Sequence, residues 1–471
     1  MSISDSLWEA PAARGPVTGK IRVPGSKSLT NREMVLSTLA DGPSLLRGAL
    51  WSRDTQLMLD AIKSLGAKAK VVLPDSTSTS RVDIEVSPAH YLSWRANTAQ
   101  ATSGCERTGS AITLAEVDCG LSGTVMRFIP PLAVSLGVSA RFDGDPQAYL
   151  RPQATLIDAL RQLGAVIVEH GDPGSLPFTV QMPSESARLS SPAESLTTPV
   201  VTIDSSGSSQ FVSALLLIGA ALPQGLFLRA RGKLPSLAHV EMTIDCLAQR
   251  GVTVHQVKSG YLNEWKVDPA PIAMRSVRLE TDLSNAGPFL AAAAVTGGEV
   301  SILDWPEHTT QAGDAWREIM PRLGVKISWE NGTLTARGPA GGASALHGID
   351  CDLSAYGELT PTLGAICALS SEPSRIRGIG HLRGHETDRL KALVTEVERL
   401  GGRARASRDE IEFLSPVTKP GVVESYHDHR MATFGAILGL KLPGLRVREI
   451  ETTAKTLPDF VQLWSSLEGL A

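Results

Sequence analysis

The chain has few cysteines, and they are not arranged for cross-linking. Its 471 residues include Cys105, Cys119, Cys246, Cys351 and Cys367, which form no CxxC pair and no spacing typical of a disulfide framework. A zinc-finger pattern of paired cysteines and histidines is likewise absent from the sequence. We therefore expect isolated thiols in a reducing compartment, no bound metal and no other cofactor.

Long apolar runs and an excess of positive charge are also missing. The apolar stretch 211–222 is too short to span a bilayer, and the amino-terminal segment has no continuous apolar run typical of a signal peptide. The formal net charge is −4, so no global basic field points to nucleic acid. We expect a cytoplasmic protein that binds neither membranes nor nucleic acid, and any affinity for anions has to come from local clusters.

What the sequence does contain is a degenerate repeat. Helical patterns that end in a glycine recur along the chain, and a strand-like run follows each of them. The closing glycines are Gly66, Gly164, Gly251, Gly324 and Gly401, with Gly469 expected to close a sixth copy. Before each amphipathic pattern stands a second helical pattern that is apolar nearly all round, as expected for a buried helix.

Six such units fill the chain, and neither a propeller nor a solenoid repeats at about 75 residues. The sequence therefore predicts an α/β fold (α+β repeats) of two pseudo-threefold domains, each with three strand–helix units. Residues 74–119 and 190–199 interrupt the repeat with Ser- and Thr-rich segments, which we interpret as surface insertions.

Polar residues cluster where the predicted helices begin. A helix N-terminus carries partial positive charge and free N–H groups, so serines there are often simple caps, whereas cations there need a negative partner. The cations at these positions are Lys27, Arg32, Arg127, Arg151, Arg389, Arg430 and Lys455. Their recurrence predicts a polyanionic ligand held between converging helix starts.

Two glutamates and two histidines occupy the same kind of position. Glu358 and Glu386 are either solvated residues matched to the helix dipole or proton carriers among the cations. His385 and His429 are surface residues, a metal pair or acid/base groups. The residues alone do not decide between these alternatives.

The motifs at the helix starts follow one another in a characteristic order. They are PGSKSLTNR, LSGTVMR, LRP at 150–152, SSQF, LRGHETDRL, DHRMA and TAKTLPDF, and they extend from residue 24 to residue 460. Together they resemble the motifs of the 5-enolpyruvylshikimate-3-phosphate synthases, the 3-phosphoshikimate 1-carboxyvinyltransferases. Each motif alone is weak, but the complete ordered set is highly specific.

The resemblance implies a fold and a domain division. Members of this family have two domains of three βαββ-type units, with helix N-termini facing an interdomain cleft. The implied first domain spans residues 26–280, and the second combines residues 1–25 with 281–471, so that the chain crosses twice. A monomer is the family expectation, because the cleft lies within one chain.

The resemblance also assigns residues to two small-molecule substrates. For phosphoenolpyruvate it implies Lys27, Gly123, Arg151, Gln210, Arg389, Arg430 and Lys455. For shikimate 3-phosphate it implies Ser28, Arg32, Ser208, Ser209, Gln210, Ser236, Glu358 and His385. Supporting positions are Arg127, His239, His381 and His429. Planar guanidinium groups suit the carboxylate of phosphoenolpyruvate, and the serines suit the 3-phosphate.

Four positions depart from the pattern of many family members. Glu358 stands where Asp is common, and His385 stands where Lys is common. His381 and His239 replace Asn and Tyr, respectively. Because histidine titrates near neutrality, we expect His385 to make activity more dependent on pH than a lysine would.

The implied reaction is an addition–elimination in a closing cleft. Phosphoenolpyruvate is protonated at its methylene carbon, the 5-hydroxyl of shikimate 3-phosphate attacks C2, and phosphate leaves. We expect Glu358 to act as the base for the hydroxyl, with Glu386 and Lys27 handling the proton at the methylene carbon. Gly123 leaves room for glyphosate, which we expect to compete with phosphoenolpyruvate.

Three other functions compete with this one. A cell-wall enolpyruvyl transferase that acts on UDP-N-acetylglucosamine shares the fold, but that family commonly carries a reactive cysteine where this chain has GDPQAYLR. A non-catalytic phosphometabolite-binding protein would keep the cleft and lose the acid/base residues, yet Glu386 and Lys27 are present. An RNA-end-modifying relative would need a basic stripe, which the sequence lacks.

Overall fold

Residues 6–72, 80–89, 114–182, 197–259 and 262–471 are described by the computed structural model. The chain begins with two strands, β1 (Leu7–Glu9) and β2 (Ala13–Ile21), which pair with strands formed much later in the sequence. Six strand–helix units then follow in order, as the repeat predicts.

The first three units surround one hydrophobic core. The first contains α1 (Lys27–Thr38), β3 (Ser44–Leu50), α2 (Arg53–Ser64), β4 (Lys68–Val72) and β5 (Arg81–Ser87). The second contains β6 (Ala115–Asp118), α3 (Gly123–Leu136), β7 (Ala140–Asp143), α4 (Ala154–Gln162), β8 (Val166–Glu169) and β9 (Phe178–Gln181). The third contains β10 (Val200–Asp204), α5 (Gln210–Gly219), β11 (Leu226–Arg231), α6 (Leu237–Ala248), β12 (Val254–Ser259) and β13 (Leu262–Val267), and β14 (Ser276–Arg278) follows it.

The last three units surround a second core. The fourth contains α7 (Leu283–Thr296), β15 (Glu299–Ile302), α8 (Trp316–Arg322), β16 (Lys326–Glu330) and β17 (Thr333–Arg337). The fifth contains β18 (Asp350–Asp352), α9 (Thr360–Leu369), β19 (Ser374–Arg377), α10 (Arg389–Arg399), β20 (Arg403–Ala406) and β21 (Glu410–Ser415). The sixth contains β22 (Val422–Val423), α11 (His429–Gly439), β23 (Arg446–Arg448), α12 (Phe460–Ser465) and β24 (Glu468–Leu470).

The sheets of the second, third and fifth units share one topology. In each, the first two strands are parallel, and the fourth strand lies antiparallel between the second and the third. In the first unit, β14 takes the place of the first strand beside β3, and in the fourth unit β2 takes it beside β15. Strand β1 adds to β23 of the sixth unit. The chain's first strands therefore complete sheets of its last three units.

Two separate clusters of buried apolar residues result from this arrangement. The first cluster draws on residues 34–279 and the second on residues 10–23 and 283–467. We call the elements around them the first lobe and the second lobe. The domain boundaries at residues 25/26 and 280/281 remain a prediction, which the separation of the two cores supports.

The two helix types are as predicted from the repeat. Helices α1, α3, α5, α7, α9 and α11 are buried over most or all of their length. The glycines after the amphipathic helices have positive φ angles, which only glycine adopts without strain. These residues are Gly66, Gly164, Gly251, Gly324 and Gly401.

The sixth closing glycine was predicted wrongly. Helix α12 ends at Ser465, and Gly469 lies in β24, which pairs with β2. Its positive φ of 90° fits a strand position where an added Cβ would lie 2.7 Å from the carbonyl oxygen of Pro16. The glycine is therefore required by a close backbone approach and not by a helix end.

The predicted insertions lie largely outside the described residues. Within 74–119, the structure describes strands β5 and β6, while residues 74–79 and 90–113 fall outside it, Cys105 included. Of the segment 190–199, only residues 197–199 are described. The other four cysteines are buried and unpaired. None of the helices in the described part of the chain is long and apolar enough to cross a membrane.

The two lobes are joined where the chain crosses between them. Gly25 and Thr281 form an antiparallel bridge, Ser26 N–H donates to the carbonyl of Glu280 (2.7 Å), and Asp282 N–H donates to that of Pro24 (2.9 Å). The carboxylate of Asp282 accepts from the backbone N–H of Asn285 in α7 (2.9 Å) and of Lys27 in α1 (3.2 Å). One side chain thus caps a helix of each lobe.

We expect Gly25→Ala to destabilise the fold at this crossing. A Cβ at Gly25 would lie 2.3 Å from the backbone oxygen of Gly48, so the strand has to shift. The free energy of unfolding should fall by about 1–3 kcal/mol, which chemical denaturation would measure. Gly15→Ala is the matched control, because nothing lies within 4 Å of its added Cβ. Equal stability of the two variants would contradict this prediction.

Candidate active site

A pocket between the lobes collects nearly all of the predicted site residues. It is lined from the first lobe by Lys27, Ser28, Gly123, Arg127, Arg151, Ser208, Ser209, Gln210, Ser236 and His239. From the second lobe it is lined by Glu358, His381, His385, Glu386, Arg389, His429 and Arg430. Arg32 and Lys455 do not line it, although each contacts a residue that does.

Helix N-termini of both lobes open onto this pocket. Lys27, Gly123 and Gln210 are the first residues of α1, α3 and α5, and Ser236 caps α6. In the second lobe, Arg389 begins α10 and His429 begins α11. Because the first N–H groups of a helix have no partner within it, this convergence creates an electropositive, donor-rich cavity.

Three guanidinium groups in the pocket have no carboxylate partner among the described residues. Arg127 donates to the side-chain oxygen of Gln210 (2.6 Å), and Arg151 donates to the carbonyl of Leu121 (3.0 Å). The Nε atoms of both arginines are buried without a hydrogen-bond partner. The guanidinium of Arg430 makes no ion pair in the described structure either; burial lowers its pKa, and the more distant charge of Glu358 offsets this only in part.

Such groups predict an anionic ligand, because a buried cation without a counter-ion is unfavourable. Burial also lowers the pKa of Arg127 to about 9, with the charge of Arg151 adding to the effect. An anion bound beside Arg127 would oppose this lowering of its pKa. The pocket is therefore prepared for negative charge from outside the chain.

Other cations of the site are already neutralised. Lys27 Nζ donates to the Asp54 carboxylate (3.1 Å), and Lys455 Nζ donates to Glu386 Oε1 (2.8 Å). Arg389 donates from Nε to Asp428 Oδ2 (2.7 Å) and from Nη2 to Glu386 Oε2 (3.1 Å). A ligand that accepts hydrogen bonds from these cations has to compete with the protein's own carboxylates.

The positions of two predicted cations differ from the helix-start prediction. Lys455 ends a short 3₁₀ helix (Ile450–Lys455), whereas Arg151 lies between another (Pro146–Leu150) and the start of α4, as predicted. Arg32 lies in the second turn of α1, fully buried, and donates to Thr243 Oγ1 (2.7 Å) and to the carbonyls of Ser28 and His239. Most of its donors are therefore used within the first lobe, and its contact with a substrate carboxylate stays a prediction.

Both glutamates of the pocket are held in the ionised form. Burial on its own raises the pKa of Glu358, but His239, Arg430 and Ser284 bring it far below the ordinary range. Burial likewise raises the pKa of Glu386, and the charges of Lys455 and Arg389 reverse this to well below its usual value. Glu358 is thus able to accept a proton, whereas Glu386 has to gain one before it acts as an acid.

The pocket histidines are held in the neutral form. Burial lowers the pKa of His381 to about 4 and holds the pKa values of His385 and His429 well below 6.5. Arg389 Nη1 lies 3.3 Å from His385 Nδ1, and since an arginine only donates, the proton of His385 belongs on Nε2. The expected titration of His385 near neutrality is therefore not supported by its surroundings.

The described residues contain no group of three side chains that could hold a metal ion. His381 and His385 are four residues apart, a spacing that binds zinc when both lie on one helix face. Here His381 lies within a short 3₁₀ segment (Gly380–Gly384) and His385 directly follows it, with ring centroids 5.8 Å apart in an edge-on arrangement. Their contact does not create a ligand set.

Sequence reasoning did not identify Asp428 as part of the site. This buried carboxylate accepts from Arg389 and also from the backbone N–H of Arg430 (2.8 Å), so it caps α11 while it orients an arginine of α10. An aspartate just before a buried helix is a recognisable cap in the sequence. Its second contact is with a residue 39 positions away and has no local signal.

The fold is that of the enolpyruvyl transferases. A solved EPSP synthase from Acinetobacter baumannii superposes with a TM-score of 0.72 at 21% identity, over 98% of this chain and 97% of that one. The enolpyruvyl transferase NikO from Streptomyces tendae superposes with a TM-score of 0.68 at 16% identity, over 99% and 97% of the two chains. At these identities the likeness establishes the fold alone.

The family follows from the sequence. The model of the EPSP synthase (3-phosphoshikimate 1-carboxyvinyltransferase) family matches residues 11–464. A 3-phosphoshikimate 1-carboxyvinyltransferase from Kocuria rhizophila is 48% identical over 468 residues, 99% of this chain and 97% of that protein. The chain belongs to the EPSP synthase family.

We expect the stability of the unliganded protein to fall as pH drops from about 6.5 towards 5. The unfolded chain takes up protons on histidines near pH 6.5, whereas folded His381, His385 and His429 resist them. The contribution of these histidines to the free energy of unfolding is therefore fully present above about pH 6.5. Below that pH it is lost progressively, by up to ~1.4 kcal/mol per pH unit for each histidine. Urea denaturation at a series of pH values would measure the slope.

The buried His429 provides the test variant for this effect. His429→Gln should flatten the slope between pH 6.5 and 5, while the control His255→Gln, at an exposed position, should leave it unchanged. An unchanged slope in His429→Gln would show that this histidine protonates equally in both states.

Proposed function

We propose that the protein transfers the enolpyruvyl group of phosphoenolpyruvate to the 5-hydroxyl of shikimate 3-phosphate and releases phosphate, a step of chorismate and aromatic amino acid biosynthesis. Family membership and the 48% identical 3-phosphoshikimate 1-carboxyvinyltransferase support this reaction. The observation that carries the proposal for this chain is the set of unpaired guanidinium groups of Arg127, Arg151 and Arg430 in one pocket.

The main physical problem of the reaction is to bring two anionic molecules together. Their phosphates and carboxylates repel each other strongly at contact distance unless cations lie between and around them. Arg151 and Arg430 come from opposite lobes, so closure of the cleft places positive charge on both sides of the ligands. Ser208, Ser209 and Ser236, near the starts of α5 and α6, suit the 3-phosphate of the acceptor.

The proton transfers fall to the two glutamates and Lys27. Glu358 takes the proton of the 5-hydroxyl as its oxygen attacks C2. Glu386 with Lys27 delivers a proton to the methylene carbon and removes one when phosphate leaves. Since Glu386 is ionised in the empty cleft, it gains its proton once ligand anions draw Lys455 and Arg389 away from it.

The rival functions lack comparable support. The stretch 144–151 contains no cysteine, and the chain's 48% identical relative is a 3-phosphoshikimate 1-carboxyvinyltransferase and not a transferase of nucleotide sugars. Both glutamates and Lys27 line the pocket, which a binding protein without chemistry would not need. We also propose that the protein acts in the cytoplasm as a monomer, because residues of both lobes of one chain form the pocket.

Phosphate release with phosphoenolpyruvate and each candidate acceptor tests the function. Shikimate 3-phosphate should support turnover, and UDP-N-acetylglucosamine should not. Turnover with the nucleotide sugar alone would assign the chain to the rival transferase. Calorimetric binding of both ligands without any release of phosphate would make it a binding protein.

We expect Glu358→Gln to lower kcat by roughly 10²–10⁴-fold, the usual contribution of a general base. The amide keeps the shape of the side chain but cannot accept the proton of the hydroxyl. Dissociation constants of both substrates, measured by calorimetry, should change little. Turnover close to that of the wild type would exclude Glu358 as the base.

Glyphosate should compete with phosphoenolpyruvate for one site. Gly123→Ala should weaken the binding of both molecules. A Cβ at Gly123 would lie 2.9 Å from Arg151 Nη2 and 3.3 Å from the side-chain oxygen of Gln210, so it narrows the space beside the arginine. Steady-state kinetics at varied phosphoenolpyruvate would measure the inhibition constant and KM. A non-competitive pattern in the wild type would contradict the shared site.

A further inference from the structure

The four positions that depart from the family pattern meet in one part of the pocket. Glu358 lies in a short 3₁₀ helix (Gly357–Leu359), and the ring of His381 packs against the backbone of Gly357, where a Cβ would lie 2.4 Å from His381 Nε2. His385 lies next to His381. His239, from the other lobe, faces the same carboxylate. The substitutions therefore concern one local structure.

The central contact of this structure joins the two lobes. His239 Nε2 lies 2.8 Å from Glu358 Oε2, and Ser284 Oγ donates to Glu358 Oε1 at 2.8 Å. Each carboxylate oxygen thus has one partner, from a different lobe in each case. Since a carboxylate oxygen has two lone-pair sites, both oxygens can still accept from a substrate hydroxyl.

The backbone that carries His239 is also fixed to the second lobe. Ser236 N–H donates to the carbonyl of Ser354 across the cleft (2.8 Å), and His239 N–H donates to the carbonyl of Ser236 (3.0 Å). Ser354 lies four residues before Glu358. The start of α6 is therefore held at two points beside the glutamate, and both contacts exist only while the lobes are together.

The ring of His239 is the donor in its contact with Glu358. The ionised carboxylate of Glu358 can only accept, so the proton of this contact lies on His239 Nε2. Its Nδ1 is buried and has no hydrogen-bond partner among the described residues, so Glu358 is the partner that orients the ring.

We propose that His239 is the positioning residue of Glu358, and that it aligns this carboxylate for the acceptor hydroxyl only when the cleft is closed. The inference rests on the proposed function, because it presupposes that Glu358 takes the proton of the 5-hydroxyl. Proton acceptance by Glu358 is then coupled to closure of the cleft. In the open enzyme Glu358 keeps its hydrogen bond from Ser284 but lacks the one from His239.

The length of the side chains decides which pairs of residues fit at positions 239 and 358. An aspartate at residue 358 would be shorter by about 1.5 Å and would leave a gap of roughly 4 Å to His239, beyond hydrogen-bonding distance. A tyrosine extends further from the backbone than a histidine does. This chain combines a longer base, Glu358, with a shorter donor, His239. The pair Asp and Tyr, common at these positions in the family, combines a shorter base with a longer donor.

Removal of His239 should also change the pH dependence of turnover. The charged or titratable groups that act on Glu358 besides His239 are Arg430 and, at longer range, Arg389, Arg32 and His381. Without His239, burial counts for more and the pKa of Glu358 rises. Since the base works only when ionised, the acidic limb of kcat moves to higher pH.

The test is a double-mutant cycle followed by phosphate release, with the pH profile extended down to the lowest pH at which each variant stays folded. The variants are His239→Phe, His239→Tyr, Glu358→Asp and the double variant His239→Tyr with Glu358→Asp. Each single variant should lose roughly 10- to 100-fold in kcat, with KM for both substrates changed much less. The double variant should recover at least tenfold over the weaker single variant, because its pair fits again. The control His255→Tyr, on the surface of the same lobe, should match the wild type.

Each outcome of this cycle decides for or against the inference. A lower kcat of His239→Phe with an unchanged acidic limb would show a merely structural role and overturn it, as would additive losses in the double variant. If His239→Phe does not fold, as judged by its thermal transition, the tyrosine and aspartate variants alone carry the test. Absence of phosphate release in the wild type would instead reject the proposed function.

Discussion

The structure depends on an excess of positive charge that the chain itself does not neutralise. Helix N-termini of both lobes converge with Arg127, Arg151 and Arg430, and none of these guanidinium groups has a carboxylate partner in the described structure. Hydrophobic burial in two separate cores has to hold this arrangement in place without a ligand. The ligand anions then supply the missing negative charge. Binding therefore offsets the unfavourable free energy of burying these cations without counter-ions.

Much of the fold could be predicted because the relevant signals are local. A glycine with positive φ at a helix end and an apolar helix beside an amphipathic one are both visible within the sequence of a single repeat unit, as at Gly66 and Gly401. Gly469 was misinterpreted because a close approach to Pro16, more than 450 residues away in sequence, also requires a glycine. The local pattern is the same in both cases, and only tertiary contacts distinguish them.

The site was predictable to the level of which residues meet, but not to the level of what they contact. Position in the repeat places Lys27, Arg389 and Arg430 at helix starts, as the structure shows. Position in the repeat does not reveal that Asp428 accepts two hydrogen bonds from Arg389. Nor does it reveal that Arg32 donates to residues of the first lobe. Side-chain direction and burial determine these partners. For the same reason the environment of His385, and not its residue type, sets its protonation.

Asp282 has a consequence for how the lobes move. Its carboxylate holds the first turns of α1 and α7 together at the crossing of the chain, directly beside Lys27. Because the chain connects the lobes at this crossing, a rotation of one lobe against the other that opens the cleft has its axis near it. Atoms close to the crossing are therefore displaced least. Lys27 at this crossing is therefore expected to move less than residues at the edges of the cleft when the lobes separate.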